Sequence, residues 1–143
     1  MATLTASNSV YMLTVIGLFD VPQQLQGWAT DDMFDTEAIE NVELLMGVDG
    51  KLSAGWIPTM KKQTISLQAD SDSNLIFDSW ATAEESQREK FIAAGIIRLP
   101  ALGLSYALVR GFLSSYRPVP PAKKILQPRQ FGITWNQILP API

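Results

Sequence analysis

The residues whose chemistry is easiest to name are the carboxylates, which cluster in the N-terminal half of the sequence. Segment 31–43 holds six acidic residues and no basic residue, and carboxylate oxygens can bind a hard cation. A solvated acidic loop explains the same composition. A shorter stretch, DSDSN at 70–74, starts like a calcium-binding loop but lacks the glycine and the closing glutamate of such loops. A helix N-terminus is therefore the simpler interpretation of that stretch.

Histidine and cysteine are both absent from the sequence, and their absence excludes several classes of enzyme. Without histidine there is no Ser-His-Asp triad and no common zinc ligand. Without cysteine there is no thiol nucleophile, disulfide or Cys-based metal site. Glu84 and Glu85 are adjacent, so they do not face each other as a catalytic acid and base would. The sequence predicts a protein that is not an enzyme and that holds no cofactor and no metal ion.

Charge is distributed unevenly along a chain whose formal net charge is −3. All 14 acidic residues lie at or before Glu89, whereas seven lysines and arginines and no acidic residue follow from Lys90 onward. Such an asymmetry can steer copies of one protein towards each other, or it can reflect different faces of a monomer. The basic residues are scattered without interleaved aromatic residues, so specific nucleic-acid binding is disfavoured.

The 143 residues suit one domain, 1–143, and their patterns favour a mainly β fold. The longest apolar run, 10–19, is too short to span a membrane and lacks the flanks of a signal peptide, so we expect cytosolic synthesis and no membrane insertion. A helix is predicted at roughly 72–83, capped by Asp72 or Ser73. Asp49-Gly50 predicts a two-residue hairpin turn. The expected fold is a β-sandwich or barrel of about seven strands with one outer α-helix.

Three segments connect or flank these elements. Residues 1–9 are small and polar and predict a loose N-terminal arm. Residues 117–122 are too rich in proline for a helix or a central strand and predict a linker. Residues 136–143 follow the last predicted strand, 129–135, and are expected to form a C-terminal tail.

The end of the chain resembles a known family. Residues 111–138, GFLSSYRPVPPAKKILQPRQFGITWNQI, look like the C-terminal signature of tail tube proteins of contractile-tailed bacteriophages. Residues 28–58 resemble the family's acidic stretch and its long hairpin loop. Residues 64–80 resemble its strand and outer helix, and residues 96–116 resemble its second hairpin. The likeness runs from about residue 9 to residue 138, and it depends on the order of many weak features.

The resemblance implies a structural role in a virion tail, assembled in the cytoplasm of a bacterial host. Subunits of this family form hexameric rings with a continuous inner β-barrel around a channel, and the rings stack through the long hairpin loop, here 44–60, and the terminal arms. The channel first holds the tape-measure protein and later passes double-stranded DNA. The other implied partners are the sheath, baseplate and tail terminator proteins.

Two sets of residues are the candidates for these contacts. The candidates for the interface between subunits are Val10, Met12, Leu45, Trp56, Ile57, Lys123, Lys124, Arg129 and Phe131. The candidates for the channel lining are Thr64, Ser66, Gln68, Asp31 and Asp32. Because the C-terminal cations and the acids of 31–43 have opposite charge, we expect Lys123, Lys124 and Arg129 to meet acids of a neighbouring subunit.

Two alternative interpretations remain open at this point. A bacteriocin, type VI secretion system or other contractile injection system uses a ring-forming tube protein with the same mechanics. A monomeric β-sandwich that serves as a binding module belongs to a different class and would stay monomeric at high concentration.

Overall fold

The computed structural model describes residues 9–29 and 33–142. In this part of the chain nine strands and one helix form. The strands are Val10–Val15 (β1), Phe19–Gln24 (β2), Phe34–Thr36 (β3), Val42–Met46 (β4), Leu52–Trp56 (β5), Lys61–Leu67 (β6), Ala93–Leu99 (β7), Leu104–Tyr116 (β8) and Arg129–Pro142 (β9), and the helix is Asn74–Gln87 (α1).

Seven strands pair antiparallel in one sheet with the order β2-β1-β7-β8-β9-β6-β3. The register shifts between Ala93 and Gly95 where β7 meets β8, and again between Leu113 and Ser115 where β8 meets β9. Arg110, beside the first shift, has a positive φ of 50°. An extra residue in one strand bends it and increases its twist, so these irregularities curl the sheet along its two longest strands.

The curled sheet brings β1 opposite β6, although three strands separate them in the sheet. The Tyr11 hydroxyl of β1 donates a hydrogen bond to Gln63 Oε1 of β6. The connection after β2 bridges the same gap, because Leu25 N donates to Tyr11 O at 2.9 Å and Gln68 N donates to Gly27 O at 2.7 Å. The predicted β-sandwich or barrel with one helix is confirmed, with more strands than the seven expected.

The core lies between the two halves of the curled sheet and under the helix. Its largest members are aromatic: Tyr11, Phe77, Trp80, Phe131 and Trp135, each at most 1% exposed. The Phe77 and Phe131 rings stack with centroids 4.2 Å apart and join α1 to β9. The strands supply alternate residues to this core, as a strand with one covered face must.

The helix begins and ends later than predicted, at Asn74 and Gln87. Ser73 is its N-cap residue but makes no side-chain capping bond, because its Oγ accepts from Gln26 N at 2.8 Å. Ser73 therefore occupies the expected N-cap position, but its hydroxyl ties the helix start to the connection after β2 and does not cap the helix. Within residues 9–29 and 33–142, no helix has the length and apolarity needed to cross a membrane.

Two more boundaries differ from the sequence-based expectation. The C-terminal tail expected at 136–143 is wrong over the described residues, because β9 continues to Pro142 and pairs with β8 as far as Leu104. The prediction of a two-residue turn between β4 and β5 is also wrong. Gly47 N donates to Lys51 O and Gly50 N donates to Gly47 O, which leaves three turn residues with Gly50 at φ +83°. A type I turn followed by a left-handed glycine has this form.

Candidate assembly interface

The β4–β5 hairpin forms a separate two-stranded sheet that pairs with no strand of the main sheet. All of its residues from Val42 to Trp56 are exposed. A lone two-stranded hairpin is at best marginally stable in water. Its conformation therefore calls for support from outside the described domain.

The register of the hairpin separates its side chains into two unlike faces. Val42 pairs with Trp56, Leu44 with Ala54, and Met46 with Leu52. We call these six residues the hairpin apolar face; Trp56 is 72% and Met46 66% exposed. The opposite face pairs Glu43 with Gly55 and Leu45 with Ser53. Exposed apolar patches of this kind are typical of interaction sites.

The outward side of the main sheet is also apolar at one end of the β8–β9 pair. Met12, Ile96, Ala107 and Leu139 lie in register across β1, β7, β8 and β9, and we call them the apolar row. Ile96 is 50% and Leu139 49% exposed. Two residues along β7, Arg98 lies beside Val10 and Ser105 on the same side.

At the other end of the β8–β9 pair the outward side is polar. Asp35, Thr64, Gly132 and Ser115 lie in register across β3, β6, β9 and β8, and we call them the polar row. Next to them, Thr134 Oγ1 donates to Ser114 Oγ at 2.9 Å. The side chains of the polar row are short, with one charge on Asp35, and the next row along places Lys62 and Phe112 beside Thr134.

The structure divides the predicted interface residues into exposed and buried ones. Trp56 and Leu45 are exposed on opposite faces of the hairpin, and Ile57 follows them at 39% exposure. Val10 and Met12 are half-buried on the outward side of β1. Lys123 and Lys124 are exposed in the connection between β8 and β9, where Ile125 and Leu126 are exposed as well.

Arg129 and Phe131 are buried in their own subunit, so their assignment to the interface is wrong. Arg129 is 5% exposed and donates to both carboxylate oxygens of Asp78, at 2.7 Å and 3.2 Å. Its guanidinium also lies 5.0 Å from the centre of the Phe131 ring. A fork of donors matches a carboxylate well, and the partner lies 51 residues upstream in the helix. No local sequence signal points to that pairing.

Because Asp78 is paired with Arg129, we expect the folded protein to lose stability in acid. The hydrogen bond from Arg129, followed by a weaker one from Tyr116, lowers the pKa of Asp78 below its ordinary value despite some desolvation. A depressed folded-state pKa contributes stability above the unfolded pKa of about 3.9, and that contribution disappears as the pH falls through the folded value. The free energy of unfolding, measured with urea from pH 7 down to pH 3, should therefore fall more steeply for the wild type than for Asp78→Asn. Asp72→Asn, an exposed residue just before the helix, is the control for loss of one negative charge. If the free energy of unfolding falls equally with pH in the wild type and in Asp78→Asn, the Asp78–Arg129 pair is not the source of the acid sensitivity.

The predicted channel residues also separate. Thr64 and Gln68 are exposed, whereas Ser66 is 6% exposed. The prediction that Ser66 lines a channel is therefore wrong. Ile125 and Leu126 of the β8–β9 connection line the same cleft as Ser66. The Ser66 backbone is also paired, because Ser66 N donates to Met33 O at 2.9 Å and Ala29 N donates to Ser66 O at 3.1 Å. Asp31 and Asp32 lie outside the described residues. In the described residues, no three acidic side chains lie together as a metal site would require.

The fold is similar to that of chains in solved contractile injection particles. One belongs to the cryo-EM structure of the anti-feeding prophage cap, described as the AFP tube terminating cap, with TM-score 0.59, 13% identity and coverage of 100% of this chain and 93% of that chain. Another belongs to the AFP baseplate, with TM-score 0.56, 10% identity and coverage of 99% and 98%. A third belongs to the PVC sheath-tube complex in the extended state, with TM-score 0.53, 12% identity and coverage of 93% and 88%. At these identities the likeness shows a shared fold.

A family model described as tail fiber protein gp32 matches residues 2–139. No curated protein matches the sequence. The family description names a tail component, and the solved chains of the same fold come from phage-tail-like particles.

Proposed function

We propose that this chain, which belongs to the family of tail fiber protein gp32, is a subunit of a hollow tail tube. The observation that carries the proposal is the exposed hairpin apolar face on a fold shared with chains of contractile particles. A domain that leaves six apolar residues of one hairpin in water gains stability when another copy covers them. Repeated contacts of this kind between identical copies build rings and stacks.

The rings are hexameric and the main sheet continues from one subunit to the next. β2 and β3 are the edge strands of the seven-stranded sheet. An edge strand presents backbone N–H and C=O groups that can pair with another chain. Pairing of edge strands between neighbours extends the sheet around the ring and forms the inner β-barrel, which removes the free edges.

The polar row faces the channel of this tube. Thr64, Gly132 and Ser115 present short uncharged groups there, with Asp35 at the edge. Lysines and arginines in a channel would hold phosphates tightly, and the polar row itself has none, so double-stranded DNA can slide along it. The same channel holds the tape-measure protein before ejection, and the sheath, baseplate and terminator proteins contact the outside and the ends of the tube.

Lys123 and Lys124 contribute to contacts between subunits. Both are exposed, as are Glu37, Glu40 and Glu43 in the described part of the acidic segment. Opposite charges on these two segments orient neighbouring copies during association. Arg129 takes no part, because Asp78 of its own subunit holds it.

The family description favours one other structure, a solid tail fibre. A fibre and a tube both need contacts between copies, but only a tube needs a channel. A tube that carries protein cargo in an injection system would share the ring and the stacking, and would differ in the particle that contains it.

Negative-stain electron microscopy of the purified and concentrated protein tests the proposal. Hollow tubes or six-fold rings with a central stain-filled channel are the expected result. Solid filaments without a channel would favour the fibre, and particles that stay monomeric even with a tail initiator complex as seed would favour a binding module. Either of the last two results would overturn the tube proposal.

A further inference from the structure

We propose that the hairpin apolar face of one copy docks onto the apolar row of another copy. The proposed tail tube is the assembly in which the two surfaces meet, so this inference rests on that function and assigns one of its contacts. It identifies the surface that receives the hairpin, on the outward side of β1, β7, β8 and β9.

The apolar row has the exposure expected of a surface that assembly covers. On a sheet with one face in water, the residues of the wet face are normally polar. Met12, Ile96, Ala107 and Leu139 instead form an unbroken apolar row across four strands. Ile96 and Leu139 remain about half exposed in the single subunit, so these side chains are available to another chain.

The two surfaces have similar dimensions. Strands in a sheet lie about 4.8 Å apart, so a row across four strands spans about 14 Å. A strand rises about 3.4 Å per residue, so the five residues from Val42 to Met46 also span about 14 Å. The three apolar pairs of the hairpin can therefore contact the row along its whole length.

The charges around the two surfaces are complementary. β1, β7, β8 and β9 contain no acidic residue, and Arg98 is exposed two residues along β7 from Ile96. The segment leading into the hairpin carries Glu37 and Glu40, both exposed. Such an arrangement favours contact between the hairpin of one copy and this end of the sheet of another.

Two other surfaces fit the hairpin less well. The polar row presents Thr64 and Ser115, which lose hydration against apolar side chains without gaining hydrogen bonds. The exposed pair Ile125 and Leu126 offers apolar groups, but Lys123 and Lys124 precede it within two residues. Among the described strands, the apolar row joins an apolar strip to a neighbouring cation, Arg98, on strands that contain no acidic residue.

The absence of native cysteine allows a direct test by disulfide cross-linking. Ala54→Cys places a thiol on the hairpin apolar face, and Ser53→Cys places one on the opposite face one residue away. Ala107→Cys places a thiol in the middle of the apolar row, and Ser115→Cys places one in the polar row. All four residues are small and exposed, so each exchange changes the surface little.

Pairs of variants are mixed, concentrated, oxidised mildly and separated on a non-reducing gel, with the same samples viewed by negative stain. A disulfide requires Cβ atoms about 3.8 Å apart, so the mixture of Ala54→Cys with Ala107→Cys should yield at least about fivefold more cross-linked dimer than the other pairings. An equal yield when Ser53→Cys replaces Ala54→Cys, or a higher yield when Ser115→Cys replaces Ala107→Cys, would overturn the docking.

The microscopy separates failure of the docking from failure of the tube. Tubes without a cross-link between positions 54 and 107 would overturn the docking and leave the tube standing. The cross-link without tubes would support the docking and count against the tube. In tubes of Ala107→Cys, protection of the introduced thiol from maleimide without a cross-link to position 54 would also overturn the docking, because another segment then covers the row.

Discussion

Trp56→Ala is expected to raise the protein concentration needed for tube formation at least about tenfold and to leave the isolated subunit folded. Trp56 is 72% exposed at the base of the hairpin, paired with Val42. Because Trp56 is mostly exposed, the substitution should affect the stability of the single subunit little. It does remove the largest side chain of the hairpin apolar face. Full burial of a large apolar side chain contributes roughly 1.5–3 kcal/mol, or about a 10- to 150-fold change in each contact constant. Because every contact in the tube repeats the same loss, the protein concentration needed for assembly should rise at least as much.

Light scattering against protein concentration measures the onset of assembly, and thermal unfolding of dilute protein measures the fold. Leu44→Ala and Leu45→Ala form a matched pair, because they remove the same atoms from adjacent residues on opposite faces of the hairpin. Leu44→Ala should raise the onset concentration clearly, and Leu45→Ala should raise it less. Normal tubes from Trp56→Ala, or a larger defect from Leu45→Ala, would contradict the role of the apolar face.

The hairpin and the general fold were predictable because their signals are local. Alternation of Val42, Leu44 and Met46 before Asp49-Gly50 predicts two strands with one apolar face. In the structure these three residues do lie on one face of the hairpin, each paired with an apolar residue of β5. Ile65 and Leu67 alternate with polar residues and are fully buried. Patterns with a period of two depend on the backbone alone, so they can be recognised without knowledge of distant contacts.

The assignments that failed depend on contacts between residues distant in sequence. Arginine is usually a surface residue, but the fold places Arg129 against Asp78 of the helix. Ser66 alternates outward as predicted, but it is 6% exposed, and Ile125 and Leu126 of the β8–β9 connection line the same cleft. The segment expected to be a tail contains two prolines, but residues 136–142 form a strand that pairs with β8 alone, because β6 ends opposite Trp135. Each error comes from tertiary contacts that override a local preference.

Gln63 is the least expected core residue, because a glutamine on the inward side of β6 is 1% exposed among aromatic rings. Its Oε1 accepts hydrogen bonds from the Tyr11 hydroxyl and from Trp135 Nε1, the latter at 3.3 Å. Its Nε2 donates to Thr36 Oγ1 at 3.1 Å. Burial raises the pKa of Tyr11, which keeps the hydroxyl protonated as a donor. One side chain therefore joins β1, across the interior of the curled sheet, to β9 and β3, the two neighbours of β6.

Gln63→Leu should destabilise the subunit by about 3 kcal/mol, because two buried donors lose their acceptor at roughly 1–3 kcal/mol each. Tyr11→Phe in the same chain removes one of those donors, so the double variant should lose less than the sum of the two single variants. Urea unfolding of the four proteins gives that coupling directly. Gln130→Leu, an exposed glutamine on β9, is the matched control and should change stability by no more than about 0.5 kcal/mol. Additive losses would mean that the Tyr11–Gln63 bond does not hold the two halves of the sheet together, and that apolar packing alone sets the curl.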